Sequence, residues 1–340
     1  PVGVVVAVSA FNHPLNLIAH QVAPAVATGC PVIVKPADKT ALSCLSFVQI
    51  LREAGLPPEW CQAVVTADRK DATAMVTDER VGFFSFIGSA KVGWTLRSQL
   101  APGTRCALEH GGAAPVIVTE GADLDRAVPS LAKGGFYHAG QVCVSVQRVF
   151  TPKAMAREFA TRLADAAKKM KVGDPTLADT EIGPLITPGE VDRVHQWVEE
   201  AKAAGAEVLC GGEKLTDTAY KPTVLLNPPA DAKVSVQEIF GPVVCVYGYD
   251  DMEEAIDRAN SLPFSFQAAV FGQDIDKLMR VSSRLDASAV MVNDHTAFRV
   301  DWMPFAGLKQ SGHGVGGVPH SMHEMQIQKM TVIHSPEIKD

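Results

Sequence analysis

Short β-type runs alternate with helical segments along the whole chain, and this alternation constrains the fold more than any other feature of the sequence. A first apolar run, residues 2–9, leads through a turn to a helical segment, residues 15–28, and a second apolar run, residues 31–35, follows. Strands that alternate with helices in this way build βαβ units around a parallel sheet. The sequence therefore predicts an α/β fold.

The composition excludes two classes of partner. With 340 residues, 47% of them hydrophobic, the chain is long enough for two domains that each bury a core. Asp and Glu (38) outnumber Lys and Arg (31), and there is no basic run, so we expect no nucleic-acid partner. The most apolar stretch, residues 2–10, is too short to cross a bilayer, so we expect no membrane partner.

The cysteines and histidines indicate a reduced, metal-free protein. The seven cysteines are an odd number, are widely scattered and form no CxxC pair, which is typical of free thiols in a cytoplasmic protein. The ten histidines show no ligand spacing, so we predict no structural metal. The chain begins at Pro1 with a pattern that already resembles a core strand, and we therefore expect that an N-terminal portion is missing.

Cys143 lies in the stretch of residues 134–150, whose composition predicts a nucleophile. A Gly-Gly pair and the small residues Ala139 and Gly140 precede the cysteine, and a β-type run over residues 142–149 follows it. We expect the thiol to lie where a flexible approach meets a rigid element, which suits a nucleophile held by a scaffold. On local sequence alone, a buried thiol that packs as a small apolar side chain is the alternative.

Polar residues follow several predicted strands of the first half. Lys35 closes one strand and precedes Asp38, and Glu109 closes another. The carboxyl ends of strands in an open α/β sheet form the ligand-binding edge, so these residues are candidates for a nucleotide site or a general base. A solvated lysine and a capping carboxylate are the alternatives. The turn at Gly88 and Ser89 would offer N–H groups to a phosphate, although it lacks the full GxGxxG spacing.

Two segments near the C-terminus have patterns of their own. Residues 294–314 are polar, aromatic and glycine-rich, and this loop is too long to be only a connection. Residues 326–333 are predicted to form an edge or exchanged strand at an oligomer interface.

Seven separated motifs are distributed along nearly the whole chain. They are Phe11-Asn12-His13-Pro14, Val34-Lys35-Pro36, Phe86-Ile87-Gly88-Ser89, Leu108-Glu109-His110-Gly111-Gly112, Gly140-Gln141-Val142-Cys143, Glu238-Ile239-Phe240-Gly241-Pro242 and Pro304-Phe305-Ala306-Gly307. This set resembles the aldehyde dehydrogenase superfamily of hydrolytic, NAD(P)-dependent enzymes. The resemblance implies two Rossmann-type open-sheet domains and a C-terminal oligomerisation strand: an NAD-binding domain (residues 1–110), a catalytic domain (111–316) and a tail (317–340).

The resemblance also implies a two-step mechanism. Cys143, as a thiolate, attacks the aldehyde carbon, and the side-chain amide of Asn12 and the backbone N–H of Cys143 stabilise the oxyanion. After hydride transfer, Glu109 activates the water that hydrolyses the thioester. Relatives that transfer the acyl group to coenzyme A generally lack this acid, so we expect a free carboxylate as product. A coenzyme A-acylating enzyme, a non-catalytic nucleotide-binding relative and a cysteine hydrolase with His138 as base are the alternatives.

The same resemblance assigns residues to the cofactor. Lys35 and Asp38 are assigned to the adenosine ribose. Because an acid at position 38 would accept hydrogen bonds from a ribose 2′-OH and repel a 2′-phosphate, the sequence favours NAD, with NADP as the alternative.

Further cofactor residues follow from the remaining motifs. Gly88 and Ser89 are assigned to the pyrophosphate, Glu238 to the nicotinamide ribose and Phe240 to the nicotinamide end. His110, where the family usually has Leu, is predicted to tune Glu109 or to contact the nicotinamide end, with a satisfied structural histidine as the alternative.

The substrate is predicted from His13 and from the segment of residues 298–301. Relatives with these features act on small polar aldehydes such as lactaldehyde, glyceraldehyde 3-phosphate or phosphonoacetaldehyde. Arg299 is predicted to bind a carboxylate or phosphonate through a bidentate fork, unless it is tied to Asp301 or Asp294 within the loop. We therefore expect a small polar or acidic aldehyde as substrate and a homodimer or homotetramer as the assembly.

Overall fold

The computed structural model describes residues 1–335 and residue 337. These residues form two large open sheets with helices packed against them and one two-stranded ribbon. The predicted α/β class is therefore confirmed. The end of the predicted tail, residue 336 and residues 338–340, lies outside the described residues.

The strands and helices of the described residues are numbered in chain order. The strands are β1 (Val4–Val8), β2 (Val32–Lys35), β3 (Cys61–Ala63), β4 (Val81–Ile87), β5 (Arg105–Glu109), β6 (Ala114–Val118), β7 (Val146–Pro152), β8 (Glu207–Cys210), β9 (Thr223–Leu226), β10 (Val243–Tyr249), β11 (Phe264–Ser265), β12 (Gln267–Phe271), β13 (Ala289–Val292), β14 (Leu308–Lys309) and β15 (Gly312–His313). The helices are α1 (Pro14–Ala27), α2 (Ala41–Glu53), α3 (Arg69–Thr77), α4 (Ala90–Arg97), α5 (Leu124–Phe136), α6 (Lys153–Lys169), α7 (Pro188–Ala203), α8 (Lys233–Val236), α9 (Met252–Asn260), α10 (Ile275–Ser282) and α11 (Val318–Glu324).

The first sheet has the strand order β15-β5-β4-β1-β2-β3, and β1 to β5 run parallel. The chain builds outward from β1 to β3 and then crosses to β4 on the other side of β1, so the strand order reverses there. Ligands bind outside the carboxyl ends of strands at such a switch point. At this edge the register places Val8 beside both Lys35 and Phe86, and Ile87 beside Glu109.

The second sheet has the strand order β13-β12-β6-β7-β10-β9-β8. Its neighbouring strands pair in parallel except for β8, which runs antiparallel to β9. Strands β9 and β12 are fully buried, as expected for a sheet covered on both faces. Side-chain contacts from Asn12 to Gln141 and from Glu238 to Gly112 bring the amino ends of β6, β7 and β10 against the carboxyl edge of the first sheet. The cleft between these two edges holds most of the predicted site residues.

Helix α6 shows how the second core forms. Its buried residues recur at helical spacing on one stripe, and four of the six are alanines, which let the helix lie close to β7, β9 and β10. Phe159 and Leu163 are fully buried on that stripe. Burial of each stabilises the fold by roughly 1.5–3 kcal/mol.

Two local expectations were wrong, and a third is untested. Helix α5 continues through Gly134 and Gly135, so this pair is not a flexible approach; a Cβ at Gly135 would lie 2.5 Å from Val244, and glycine therefore permits close helix–sheet packing. Strand β7 begins at Val146 rather than at residue 142, and Cys143 lies in the turn before it. Residues 326–333 form no strand within the chain, and their pairing with a second subunit stays a prediction.

Elements that the sequence analysis missed lie mostly around the first sheet. These are β3, α3, β15 and α11. Residues 312–313, predicted as part of the catalytic domain, pair instead with β5, and α11 packs against α1. The final segments of the chain therefore return to the first sheet.

All seven cysteines are free thiols, as predicted. In the part of the chain that the structure describes, none of the helices combines the length and apolar character needed to span a bilayer. The cytoplasmic location and the homo-oligomeric state stay predictions.

Candidate active site

The turn that carries Cys143 follows a short segment of unusual backbone. After α5, residues 137–140 form a 3₁₀ segment in which His138 (φ 54°), Ala139 (φ 54°) and Gly140 (φ 67°) adopt left-handed conformations. Such conformations cost about 1–3 kcal/mol for each non-glycine residue, so surrounding contacts must hold them. At Gly140 a Cβ would overlap the carbonyl oxygen of Gly241, so only glycine fits this approach.

Side chains on both sides brace the turn. Gln141 accepts a hydrogen bond from the N–H of Ile186 at 2.9 Å and donates one to the carbonyl oxygen of Pro184 at 3.2 Å. The hydroxyl of Thr296 donates to the carbonyl oxygen of Val144 at 2.6 Å. The segments that precede and follow the half-buried Cys143 are thus both held in place by side-chain hydrogen bonds.

Two acids lie near the thiol, one at the edge of each sheet. Glu109 ends β5, and Glu238 precedes β10 and accepts a hydrogen bond from the N–H of Gly112 at 3.1 Å. Burial raises the pKa of each carboxyl to about 7. Burial, with the nearby charges of both acids, also raises the pKa of the Cys143 thiol well above its usual range. A base must therefore remove the thiol proton, and carboxylates with pKa values near 7 are suited to that role.

Glycines make room for both carboxylates. A Cβ at Gly316 would overlap the carboxylate of Glu109, and one at Gly111 would overlap that of Glu238. The glycine at each position therefore determines where the neighbouring acid can lie.

Asn12, in the loop after β1, reaches across the cleft to the cysteine turn. Its buried side-chain amide donates to the carbonyl oxygen of Gln141 at 3.0 Å. An amide nitrogen has two N–H groups, so one remains for a ligand. His13 stacks on His138 with 4.5 Å between ring centres, and burial followed by the charge of His138 lowers the pKa of His13 to about 4.

One ring nitrogen of His138 contacts a backbone carbonyl rather than the cysteine. Its Nε2 lies 2.5 Å from the backbone carbonyl oxygen of Asn12. The charges that act on the Cys143 thiol come from Glu238, Glu109 and Arg299. The geometry therefore disfavours the cysteine hydrolase alternative.

Arg299 lies in the loop after β13 and is half-buried. Its guanidinium carbon is 4.0 Å from the centre of the Phe305 ring, and its Nη1 is buried without a hydrogen-bond partner among the described residues. The two acids that sequence analysis considered as partners bind elsewhere: Asp301 contacts His20 at 3.1 Å, and Asp294 accepts a hydrogen bond from Ser130 at 3.4 Å. Among the described residues no carboxylate forms a hydrogen bond or salt bridge with this guanidinium, so it is available to an anionic ligand.

The charge of Arg299 also reaches the reacting groups. It opposes the effect of burial on the pKa values of Glu109 and Cys143, and burial lowers the pKa of Arg299 itself. The structure thus gathers the thiol, both acids and one cation in the same part of the cleft.

A second group of candidate residues lies at the switch-point edge of the first sheet. The ammonium of Lys35 donates to the carboxylate of Asp38 at 2.9 Å, and the two side chains are 13% and 70% exposed. Ser89 is the N-cap of α4 and its side chain makes no capping hydrogen bond, so this helix start is free to meet an anion. Phe240 (φ 49°) packs edge-to-face on Phe11.

His110 lies beneath this edge rather than in the cleft. It is 2% exposed, its Nδ1 is 2.8 Å from the carbonyl oxygen of Gly88, and its ring packs near Phe86 and Trp94. This position fits a structural histidine better than one that contacts the nicotinamide directly. Any influence of His110 on a ligand would pass through its contact with Gly88.

Sequence reasoning missed three contributors to the site. His20 contacts Asp301, and Thr296 supports the cysteine turn. Gly316 leaves room for the carboxylate of Glu109. The partners in these contacts are separated by 152 residues or more along the chain, and no local pattern signals them.

Known proteins resemble this chain over nearly its whole length. The model of the aldehyde dehydrogenase family matches residues 1–331. A 3-sulfolactaldehyde dehydrogenase of Priestia aryabhattai is 36% identical over 334 residues, which cover 98% of this chain and 70% of that protein.

Solved structures agree with the fold. Glyceraldehyde-3-phosphate dehydrogenase GapN from Methanocaldococcus jannaschii, complexed with NADP, matches with a TM-score of 0.91 and 37% identity over 96% of this chain and 71% of its own. Aldehyde dehydrogenase 21 from Physcomitrella patens, in complex with the reaction product succinate, matches with a TM-score of 0.92 and 38% identity. This match covers 96% of the present chain and 67% of the other. These matches confirm the predicted fold and reaction family, and the NADP complex agrees with the predicted dinucleotide cofactor. The chain therefore belongs to the aldehyde dehydrogenase family.

Proposed function

We propose that this protein oxidises a small acidic aldehyde to the carboxylic acid with NAD(P), through a thioester on Cys143. The observation that carries the choice of substrate is Arg299, a half-buried guanidinium whose Nη1 has no partner among the described residues and whose charge acts on Cys143 and Glu109.

The residues at the first sheet's carboxyl edge fit a dinucleotide. The uncapped start of α4 suits a pyrophosphate, and the Lys35–Asp38 pair beside it suits a ribose. When bound, NAD(P) supplies the acceptor for the hydride. Glu238, held by the N–H of Gly112, lies at the other end of the cleft near Cys143, where a second ribose is expected.

Formation of the adduct needs a thiolate and oxyanion donors. One of the two half-buried acids, as its carboxylate, accepts the proton of the Cys143 thiol, and the sulfur then bonds to the aldehyde carbon. The free N–H of the Asn12 amide and the backbone N–H of Cys143 stabilise the resulting oxyanion. Loss of one such donor typically costs about 3–4 kcal/mol of transition-state stabilisation.

Release of the product needs a general base. Loss of hydride from the adduct leaves a thioester on Cys143, and Glu109 takes a proton from the water that attacks it. Overall, one aldehyde, one water and one oxidised dinucleotide give one carboxylate, one reduced dinucleotide and two protons. No coenzyme A is required in this scheme, so product formation without it separates this proposal from the acylating alternative.

Arg299 supports an acidic substrate for two reasons. A guanidinium binds carboxylate, sulfonate or phosphate groups through paired hydrogen bonds, and partial burial strengthens such pairing. Contact with the Phe305 ring restricts the orientation of the guanidinium, so the side chain loses less conformational entropy when it binds a ligand. Some of the compounds named for similar proteins, such as sulfolactaldehyde, glyceraldehyde 3-phosphate and succinate, carry an anionic group, whereas the lactaldehyde named for others is uncharged.

The experiment compares succinic semialdehyde with butanal, which has the same number of carbons and no charge. We expect a higher kcat/KM for succinic semialdehyde, and we expect Arg299→Gln to remove this preference by raising KM about 10- to 100-fold, as for the loss of a charged hydrogen-bond pair. Arg80→Gln, at an exposed site, is the matched control.

Two further variants test the chemistry in the same assay. Cys143→Ala should abolish reduction of the dinucleotide, and Glu109→Gln should give one burst of reduced dinucleotide and then stall. Equal use of both aldehydes by the wild type would refute the acidic-substrate proposal. Dinucleotide binding without turnover of any aldehyde would favour the non-catalytic alternative.

A further inference from the structure

His20 and Asp301 form a contact between distant parts of the chain. His20 Nε2 lies 3.1 Å from Asp301 Oδ1, across 281 positions of sequence. His20 is held in α1 and its side chain is 13% exposed, whereas the Asp301 side chain is 75% exposed. The histidine is therefore fixed by helix packing, and the aspartate side chain would be free to turn without this contact.

The alternative partner for Asp301 is close at hand. Arg299 precedes it by two residues, the charge of Asp301 acts on Arg299, and the charge of Arg299 acts on His20. An arginine and a carboxylate pair more strongly than a neutral imidazole and a carboxylate. A tethered carboxylate would also compete at high effective concentration with any anionic ligand of Arg299.

The backbone around Asp301 limits the change to its side chain. The N–H of Val318 donates to the carbonyl oxygen of Asp301 at 3.3 Å, and the N–H of Met303 donates to that of Val300 at 3.2 Å. These contacts do not involve His20. Removal of the histidine side chain would therefore release the carboxylate of Asp301 and leave the path of the loop in place.

We propose that His20 is a positioning residue that keeps Asp301 away from Arg299 and so leaves the guanidinium open to the anionic group of the substrate. This inference rests on the proposed function. A histidine suits the role because it donates to Asp301 through Nε2 while its Nδ1 is buried without a partner among the described residues, which fits the neutral tautomer. A lysine would add a second cation that competes for the same substrate group.

The test measures kcat and KM for succinic semialdehyde and butanal in the wild type and in His20→Phe, His20→Gln, Asp301→Asn and the His20→Phe/Asp301→Asn double variant. In His20→Phe we expect KM for succinic semialdehyde to rise about three- to fivefold, which is the size of effect expected for one ion pair with an exposed partner, while kcat/KM for butanal changes by less than about twofold. Asp301→Asn in the same chain should restore KM, because an uncharged amide does not neutralise Arg299. His20→Gln retains a donor and should behave like the wild type.

Distinct outcomes overturn distinct proposals. If His20→Phe impairs both aldehydes equally, or if Asp301→Asn does not rescue it, His20 is only a structural residue. If Arg299→Gln removes the preference for succinic semialdehyde but His20→Phe does not, this inference fails and the proposed function stands. If the wild type shows no such preference, both fail. His20→Asn, whose side chain is too short to reach Asp301, replaces His20→Phe if thermal unfolding shows that the latter does not fold.

Discussion

The side-chain amide of Asn12 donates a hydrogen bond to the backbone carbonyl of Gln141 at 3.0 Å, so the edge of the first sheet is joined directly to the turn of the nucleophile. Loss of that amide should remove both this tie and one oxyanion donor. We expect Asn12→Ala to lower kcat/KM by about 100-fold or more. Steady-state kinetics check this, with Asn16→Ala on the exposed face of α1 as the matched control. A loss of less than about threefold would exclude Asn12 from the oxyanion site, where donors contribute far more.

The pH dependence of turnover should report Glu109. Burial raises the pKa of this carboxyl to about 7, and the charge of Arg299 opposes the rise. A general base must be ionised, so thioester hydrolysis should slow as pH falls below about 7. Arg299→Gln removes the opposing charge and should therefore raise the pH below which turnover slows. The pH profile of kcat at saturating succinic semialdehyde measures both effects, and a profile that does not move in the variant contradicts the assignment.

The two half-buried acids, Glu109 and Glu238, should also make the free energy of unfolding depend on pH. In the folded state the pKa of each acid is about 7, above the usual value of 4.5. The folded state therefore binds these protons more tightly than the unfolded state does. This stabilises the fold at low pH, and the stabilisation is lost as the pH rises through about 7. The loss amounts to at most about 3 kcal/mol for each acid, and less where water enters the cleft. We therefore expect Glu238→Gln to raise the free energy of unfolding at pH 8 but not at pH 4. Denaturant unfolding tests this, with the exposed Glu79→Gln as control; an equal gain at both pH values would contradict the sign.

Gly316 should be essential for the position of Glu109. A Cβ at residue 316 would overlap the carboxylate, and the backbone there is held by two hydrogen bonds with Phe305, at 3.0 and 2.7 Å, so the carboxylate must move instead. We expect Gly316→Ala to slow thioester hydrolysis about 10-fold or more, the typical range for a displaced general base, while the initial burst persists. Rapid-mixing measurements separate burst from steady state. Gly189→Ala, where the nearest atom would be 3.9 Å away, is the control, and an unchanged steady-state rate in Gly316→Ala would refute the argument.

Cofactor preference should depend on the Lys35–Asp38 pair. Asp38 neutralises Lys35 and would repel a 2′-phosphate, so Asp38→Ser should free the ammonium for that phosphate. We expect the ratio of kcat/KM for NADP to that for NAD to rise about two- to fivefold, which corresponds to one exposed charge pair. Asp71→Ser, at an exposed position on α3, is the matched control. If the ratio does not change, this pair does not contact the adenosine ribose.

Local periodicity was enough to predict the α/β class and most of the strands and helices. Apolar runs separated by helical segments can bury both faces only in parallel sheets, and parallel strands end at a common edge. Lys35 and Glu109, which close their strands, could therefore be assigned to one side of the first sheet from the sequence pattern alone. The local composition around Cys143 indicated a nucleophile, and the family motifs added its reaction and the role of Asn12, which no local pattern shows.

Side-chain partners, in contrast, were decided only by the tertiary structure. Arg299 had two candidate acids near it in sequence, yet Asp301 contacts His20 and the guanidinium packs on Phe305. Gly134 and Gly135 suggested flexibility, but they lie inside α5. The sequence by itself determined which chemical groups the chain carries and the edges at which its strands end, because these depend on local order. The tertiary structure decided which groups pair and which stay free, because neighbours hundreds of residues apart compete for the same charges and the same space.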